Sequence, residues 1–258
     1  MIRAYPAFTR RAGAVWLRNL LAWVKYAKSS ILLNFGEPVM NLLALGVGLG
    51  AYVSQMGGVS FLEFMAPGLL AVTVMNAVAY DITFDGYDRL RSTGVYDAMV
   101  TAPLSVEEVV AGELLWEASR AVVYGLIFLV VLFFFGLVRS VWVVFLPIVL
   151  VLTGLLFGAL GLAVVTVARS HEHLFYFFTL AITPMFMFSG VFFPVERMPY
   201  LLQWVVKATP LFHAVELSRA LSLGRVAPVD LVYLATLTAL TLLSLALPVP
   251  LLRRALEK

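Results

Sequence analysis

The chain has 258 residues, of which 62% are hydrophobic and only 13% charged, with a mean hydropathy of +0.97. A soluble domain carries about 25% charged residues, so this composition excludes an ordinary water-soluble fold. The absence of cysteine excludes disulfides, thiolate metal sites and cysteine nucleophiles, and a net charge of only +3 gives nucleic-acid binding no support.

Residues 6–30 are predicted to form an amphipathic helix on the inner membrane surface. Trp16, Leu20, Trp23 and Ala27 share one face of the wheel and Arg11, Arg18 and Lys25 the opposite one. Charges occur throughout residues 1–30 without a small-residue cleavage site, so the segment does not read as a signal peptide. Six apolar runs are then expected to cross the bilayer: 31–53, 62–84, 114–138, 141–168, 174–193 and 231–252. Each lies near the ~20 residues that a helix needs to span hydrocarbon. They are too long and continuous for barrel strands, so helices must satisfy their backbones.

Charge sets the orientation. Arg3, Arg10, Arg11, Arg18, Lys25 and Lys28 occur with no acid and predict a cytoplasmic N-terminus. The connection 54–61 has no basic residue and fits the outside; Arg89 and Arg91 return the chain inside, as do Arg169 and the tail residues Arg253, Arg254 and Lys258. Both termini are therefore expected in the cytoplasm. The segment 195–230 is predicted external although it holds Arg197, Lys207, Arg219 and Arg225, which Glu196, Glu216 and Asp230 partly offset.

Within the first run, Glu37 and Pro38 are placed at the inner boundary with the proline in the first helical turn. Gly46, Gly48 and Gly50 would permit close helix approach. Asp81, Asp85 and Asp88 read as a solvated cluster paired with Arg89 and Arg91 at a helix exit. In the connection 85–113, residues 88–100 are expected to form one short helix stopped before Pro103. Ser105 and Glu108 then make a capping box that restarts a helix. A short helix protruding there suits docking onto another protein. Farther on, Pro184, Gly190 and Pro194 break an apolar run, and 201–208 and 211–223 are helices too short to cross. A hairpin dipping back from the outer face, lining or closing a path, is the expectation. Met185, Phe186, Met187, Phe188, Phe192 and Phe193 form a soft aromatic surface suited to an acyl chain or flat drug.

At these two regions the chain resembles the membrane subunit (permease) of bacterial ABC exporters of the second type. The residues that carry the likeness are RSTGVYDAMVTAPLS from Arg91 to Ser105 with EEVVAGE from Glu107 to Glu113. The second set is SGVFFP from Ser189 to Pro194, Met198-Pro199, Pro210-Leu211 and HAVELSR from His213 to Arg219. That family moves polysaccharides, teichoic acids, lipo-oligosaccharides and drugs, and the branch most similar is the nodulation-factor (lipo-chitooligosaccharide) exporter permease. The resemblance implies an all-α fold in a single domain, 1–258. Its parts are six transmembrane helices, an interfacial helix at 1–30, a cytoplasmic coupling region at 85–113 and an external re-entrant segment at 194–228. It implies two copies in a bacterial or archaeal plasma (inner) membrane, driven by two separate ATPase subunits that bind ATP and Mg. This chain itself would be no enzyme and hold no cofactor or metal, and it has no phosphate-loop motif.

The implied coupling contacts are Arg89, Arg91, Tyr96 and Asp97 as polar groups and Val95, Met99 and Val100 as the buried face. Re-entrant or gating positions are Ser189, Gly190, Phe193, Pro194, Pro199, Pro210, His213, Glu216 and Arg219. Met185, Met187, Phe188 and Phe192 are expected along the substrate path. Three other readings are weaker. An intramembrane hydrolase would pair Ser189 with His213. A metal or haem site would use His171 and His173. An ion-coupled secondary transporter would need central ionisable residues.

Overall fold

The computed structural model describes residues 5–53 and 55–257, so Arg3, Ser54 and Lys258 of the orientation argument lie outside the described residues. Five helical stretches among them are long and apolar enough to cross a bilayer: Ala27–Ala51, Phe61–Ser92, Val106–Phe134, Val141–Val167 and Pro228–Leu256. The run expected at 174–193 is not one of these. It is built as helix α7 (His171–Phe177), a π turn (Phe178–Ile182) and helix α8 (Thr183–Phe188). The polar residues His171, Glu172 and His173 in its first turn lower its hydropathy, and Gly190, at φ 80°, ends it in the left-handed region that glycine adopts without penalty.

Helix α1 (Arg10–Val24) precedes α2 (Ala27–Asn41), which continues through a π segment (Leu42–Gly48) and a 3-10 turn (Leu49–Ala51). Because α2 starts at Ala27, Pro38 lies in the helix interior and not in the first turn. Proline has no N–H to donate and crowds the carbonyl four residues back, and one turn later the register slips to π. Helix α3 (Phe61–Tyr87) starts at a capping box in which Ser60 N donates to Glu63 Oε2 at 3.0 Å. After α4 (Val95–Thr101), helix α5 (Val106–Phe134) opens on the expected Ser105–Glu108 box. A 3-10 turn (Val141–Phe145) leads into α6 (Leu146–Val167). The chain ends with α9 (Tyr200–Ala208), α10 (Pro210–Leu223), α11 (Pro228–Leu245) and α12 (Pro248–Leu256).

The core is a triad of α3, α5 and α6, with α10 and α11 packed outside it. Small residues let α6 approach closely: a Cβ on Gly154 would sit 2.5 Å from Ala121 Cβ, and one on Gly161 2.3 Å from Ile82 Cγ2. Helix α1 docks on α5 by the same device. A Cβ on Gly112 would lie 2.4 Å from Val15 Cβ and 2.6 Å from the Ala12 carbonyl. The α1 contact face is therefore Ala12, Val15 and Asn19, and the predicted apolar face of Trp16, Leu20, Trp23 and Ala27 is only half-buried. Leu17, Leu21 and Val24 stay exposed.

The helices collect their connections at two ends. At one, Thr9 Oγ1 donates to Glu108 Oε1 at 2.7 Å, Arg11 to the Pro103 carbonyl at 3.0 Å, and Arg253 to Glu107 Oε1 at 2.6 Å. At the other, Arg225 donates to the Gly57 and Gly58 carbonyls at 2.8 and 3.1 Å, Arg139 pairs with Glu63, and Arg139 N donates to Ser222 O at 3.0 Å. Arg219 and Arg225, two of the basic residues that disturb the charge rule in 195–230, are thus engaged with backbone carbonyls.

Candidate functional site

The connection at the first end is not one helix over 88–100. Helix α3 runs on as a π turn (Asp88–Ser92), and Thr93 closes it by donating N and Oγ1 to the Asp88 carbonyl at 2.8 and 2.9 Å. Gly94 then turns the chain at φ 60°, and α4 starts only at Val95. Tyr96 and Met99 are buried against an apolar cluster that includes Leu90, Val109 and Leu252, with Val95 and Val100 half-buried beside them. Arg91 and Asp97 face outward. Tyr96, expected as a polar contact, is instead a core residue whose hydroxyl has no partner. Burial, with the Glu113 charge adding to it, pushes that phenol well above its usual range. Arg89 also turns inward, donating to Glu113 Oε2 at 2.6 Å and lying 3.8 Å from Asp85.

Arg89 belongs to a buried charge cluster that spacing along one helix did not reveal. Asp81 is only 7% exposed. It pairs with Arg120, accepts from Trp116 Nε1 at 3.2 Å, and lies 4.0 Å from Arg89. Arg120 also stacks over the Tyr124 ring at 5.2 Å. Glu113 Oε2 accepts from Asn19 of α1 at 3.0 Å, while Glu117 is fully buried and neither of its oxygens has a partner. The solvated reading of the aspartates therefore holds for Asp85 and Asp88, each about half exposed, and fails for Asp81. Its closest partners, Trp116 and Arg120, come from α5, 35 or more residues away. Glu113, Glu117 and Arg120, three- and four-spaced charges leading an apolar helix, were the available signal, since charge at such depth is expensive.

A cavity of about 740 Å³ opens beside this cluster, between α2, α3 and residues 178–186. Asp81, Arg120, Asn34, Asn41 and Asn76 line it with polar groups; Leu69, Phe178, Ile182 and Phe186 supply apolar wall. Of the soft aromatic surface predicted for the substrate path, only Phe186 reaches this lining. Met185 and Phe192 are half-buried in the core, and Met187 and Phe188 are exposed.

Beyond α8 the chain is held by Arg219. Its guanidinium donates to the Gly190 carbonyl at 2.7 Å and the Phe64 carbonyl at 3.1 Å, pairs with Glu216, and lies 3.9 Å over the Phe64 ring. Ser189 is buried and donates to the Phe186 carbonyl at 3.0 Å. His213 is wedged among Phe212 and Tyr233 with neither ring nitrogen hydrogen-bonded, so no serine–histidine pair forms. Burial holds its imidazole below the usual value. Pro194 and Pro199 precede the 3-10 turn (Val195–Arg197) and α9, and Pro210 opens α10, where a missing N–H costs nothing. Phe193 remains exposed. The two histidines of 171–173 face apart: His171 Nε2 lies 3.4 Å from Asp88, and His173 Nδ1 lies 2.9 Å from Ser170 Oγ.

A helical bundle with several bilayer-length spans, buried charge at one end and an amphipathic cavity beside it defines a multi-pass membrane transport protein. The family model for the ABC-2 type transporter matches residues 11–223. The chain belongs to that family and is a membrane permease of an ABC exporter; in this family ATP hydrolysis resides in a partner protein. It is 35% identical to nodulation protein J of Neorhizobium galegae over 99% of this chain and 97% of that protein. Against nodulation protein J of Rhizobium meliloti (strain 1021) it is 35% identical over 86% and 85%. The inner membrane transport permease YadH of Escherichia coli (strain K12) is 21% identical over 78% of each chain.

Proposed function

We propose that two copies of this permease form the outward path for an amphipathic lipo-oligosaccharide, driven by two ATPase subunits that carry ATP and Mg and dock on α4. The observation that carries the reading is α4 itself. Its Tyr96–Met99 side is buried in the bundle while Arg91 and Asp97 stand exposed at the end that also holds α1 and α12. A short helix anchored on one side and open on the other can receive a rigid-body push from a closing ATPase pair. The substrate class rests on the likeness to nodulation protein J along nearly the whole chain. A cavity lined by both polar groups and apolar side chains suits a sugar headgroup with an acyl tail.

In this reading the α4 end is cytoplasmic, in keeping with the basic residues of α1 and the start of α2. The stretch 171–188 makes the sixth crossing. Helix rise gives it roughly 27 Å, close to the hydrocarbon thickness. Its two ends lie at opposite faces, His171 beside Asp88 and Gly190 held to Phe64 through Arg219. Residues 189–228 then form the external segment that closes the path, and both termini are cytoplasmic.

The test is the charge reversal Asp97→Arg in cells that co-express the candidate ATPase. The variant should reach the membrane at wild-type level, retain no more than about a tenth of the ATPase on purification, and lose transport. Undiminished ATPase capture and transport would refute docking at α4. Single cysteines at Arg197 and Arg225 should react with impermeant reagents from outside; reaction only from the cytoplasm would reverse the topology.

A further inference from the structure

The buried cluster holds more carboxylate than the cations bound in it can satisfy. Glu113 and Glu117 lie one turn apart on the same face of α5, where i,i+4 side chains are neighbours. Arg89 and Asn19 both bind Glu113 Oε2, yet Glu113 Oε1 and both oxygens of Glu117 have no donor. Arg120 is committed to Asp81. A buried carboxylate without a donor is costly, so a cation brought to Glu117 would stabilise its ionised form.

The backbone under Arg89 is able to move. Arg89 sits on the π turn Asp88–Ser92, directly between α3 and α4. A π turn carries an extra residue relative to α geometry and recurs at functional positions; relaxing it rotates the next residues of the chain by roughly 100°. Helix α4 touches α3 just before this turn, the Tyr96 hydroxyl lying 3.7 Å from the place a Cβ on Gly86 would occupy. A push on α4 therefore reaches Arg89 through both the chain and a packed side chain. Asp81, 4.0 Å from Arg89, lines the cavity together with Arg120.

We propose that Arg89 is a positioning residue that exchanges its carboxylate partner from Glu113 to Glu117 when the ATPase loads α4, and so resets the Asp81–Arg120 pair at the cavity wall. The exchange rests on the docking of an ATPase at α4. In the resting arrangement Arg89 holds Glu113 and, through it, Asn19 of α1. In the loaded one it leaves Asp81, so Arg120 alone neutralises that carboxylate at the cavity wall. Two discrete pairings give a bistable element, which an interfacial push is able to switch.

The experiment uses the purified permease–ATPase complex in vesicles and reads ATPase capture, ATP hydrolysis and transport in the same preparation. E117Q keeps the resting pair and removes the negative charge of the alternative acceptor. It should capture the ATPase fully, keep the KM for ATP, and lower the ratio of transport to hydrolysis at least tenfold. E113Q removes the charge of the resting acceptor and should act in the opposite sense, raising hydrolysis in the absence of substrate at least threefold. A merely structural role would lower capture, hydrolysis and transport together; that result, or a wild-type transport ratio in E117Q, overturns the exchange. Should E117Q not accumulate, E117D retains the charge at shorter reach and should show an intermediate ratio, with a wild-type ratio counting against the proposal. Failure of the wild-type chain to capture any ATPase would instead refute docking at α4, and the exchange with it.

Discussion

Replacing Arg219 with methionine keeps much of its length and removes every polar contact that fixes the turn after α8. Arg219 supplies three donors, to Gly190, Phe64 and Glu216, and a cation stacked 3.9 Å over the Phe64 ring. Hydrogen bonds between membrane helices average about 0.6 kcal/mol each. The stacked cation adds ~0.5–2 kcal/mol, and a carbonyl left buried without a donor costs ~1–3 kcal/mol. Gly190 is buried, so its carbonyl bears most of that last cost. Arg219→Met should therefore destabilise the bundle by about 3–7 kcal/mol, measured by equilibrium unfolding with SDS in mixed micelles. The loss should be local to the outer end. Because the chain has no cysteine, a single cysteine at Phe193 reports on the turn, and its labelling should accelerate in the variant. A loss under about 0.5 kcal/mol with unchanged labelling would show that apolar packing of Val191 on Gly68 holds the turn without the arginine.

Gly112→Ala places a methyl inside the contact with Val15 and the Ala12 carbonyl, so overpacking should cost ~1–3 kcal/mol and free α1 for proteolysis near its start. Tyr96→Phe removes a buried hydroxyl that has no partner; stability should be unchanged or slightly raised, whereas Tyr96→Ala opens a core cavity and should cost ~3–5 kcal/mol. His213 is held below the usual imidazole value near 6.5 by burial, so the unfolded chain binds a proton that the folded one refuses. Its contribution to stability is complete above that value and is lost as pH falls through it. Unfolding midpoints measured from pH 8 to 5 should fall, and His213→Phe should flatten the part of that slope due to this group.

Local signals carried far in this chain. The start of α3 at Ser60 and Glu63, the restart of α5 at Ser105 and Glu108, and the breaks at Pro103, Gly190 and Pro210 depend on neighbours within a few residues. The chain's apolar length chose the bilayer as solvent. Two misreadings were local, the turn at Gly94 within 88–100 and the interior place of Pro38 in α2, and others arose where distant residues meet: Tyr96 changed from surface to core because α4 lies on Leu90 and Leu252, and the α1 contact face shifted because Gly112 admits Val15.

Charge shows the division most sharply. Composition and spacing determined that helices cross a membrane and where α3 and α5 are capped, since hydropathy and capping are properties of contiguous residues. Which carboxylate meets which cation was decided only by packing. Asp81 with Arg120, Arg89 with Glu113, and Arg219 with Gly190 join residues 24 or more positions apart. Coulomb energy at those separations depends on where the helices place the groups, and a linear sequence carries no distance between them.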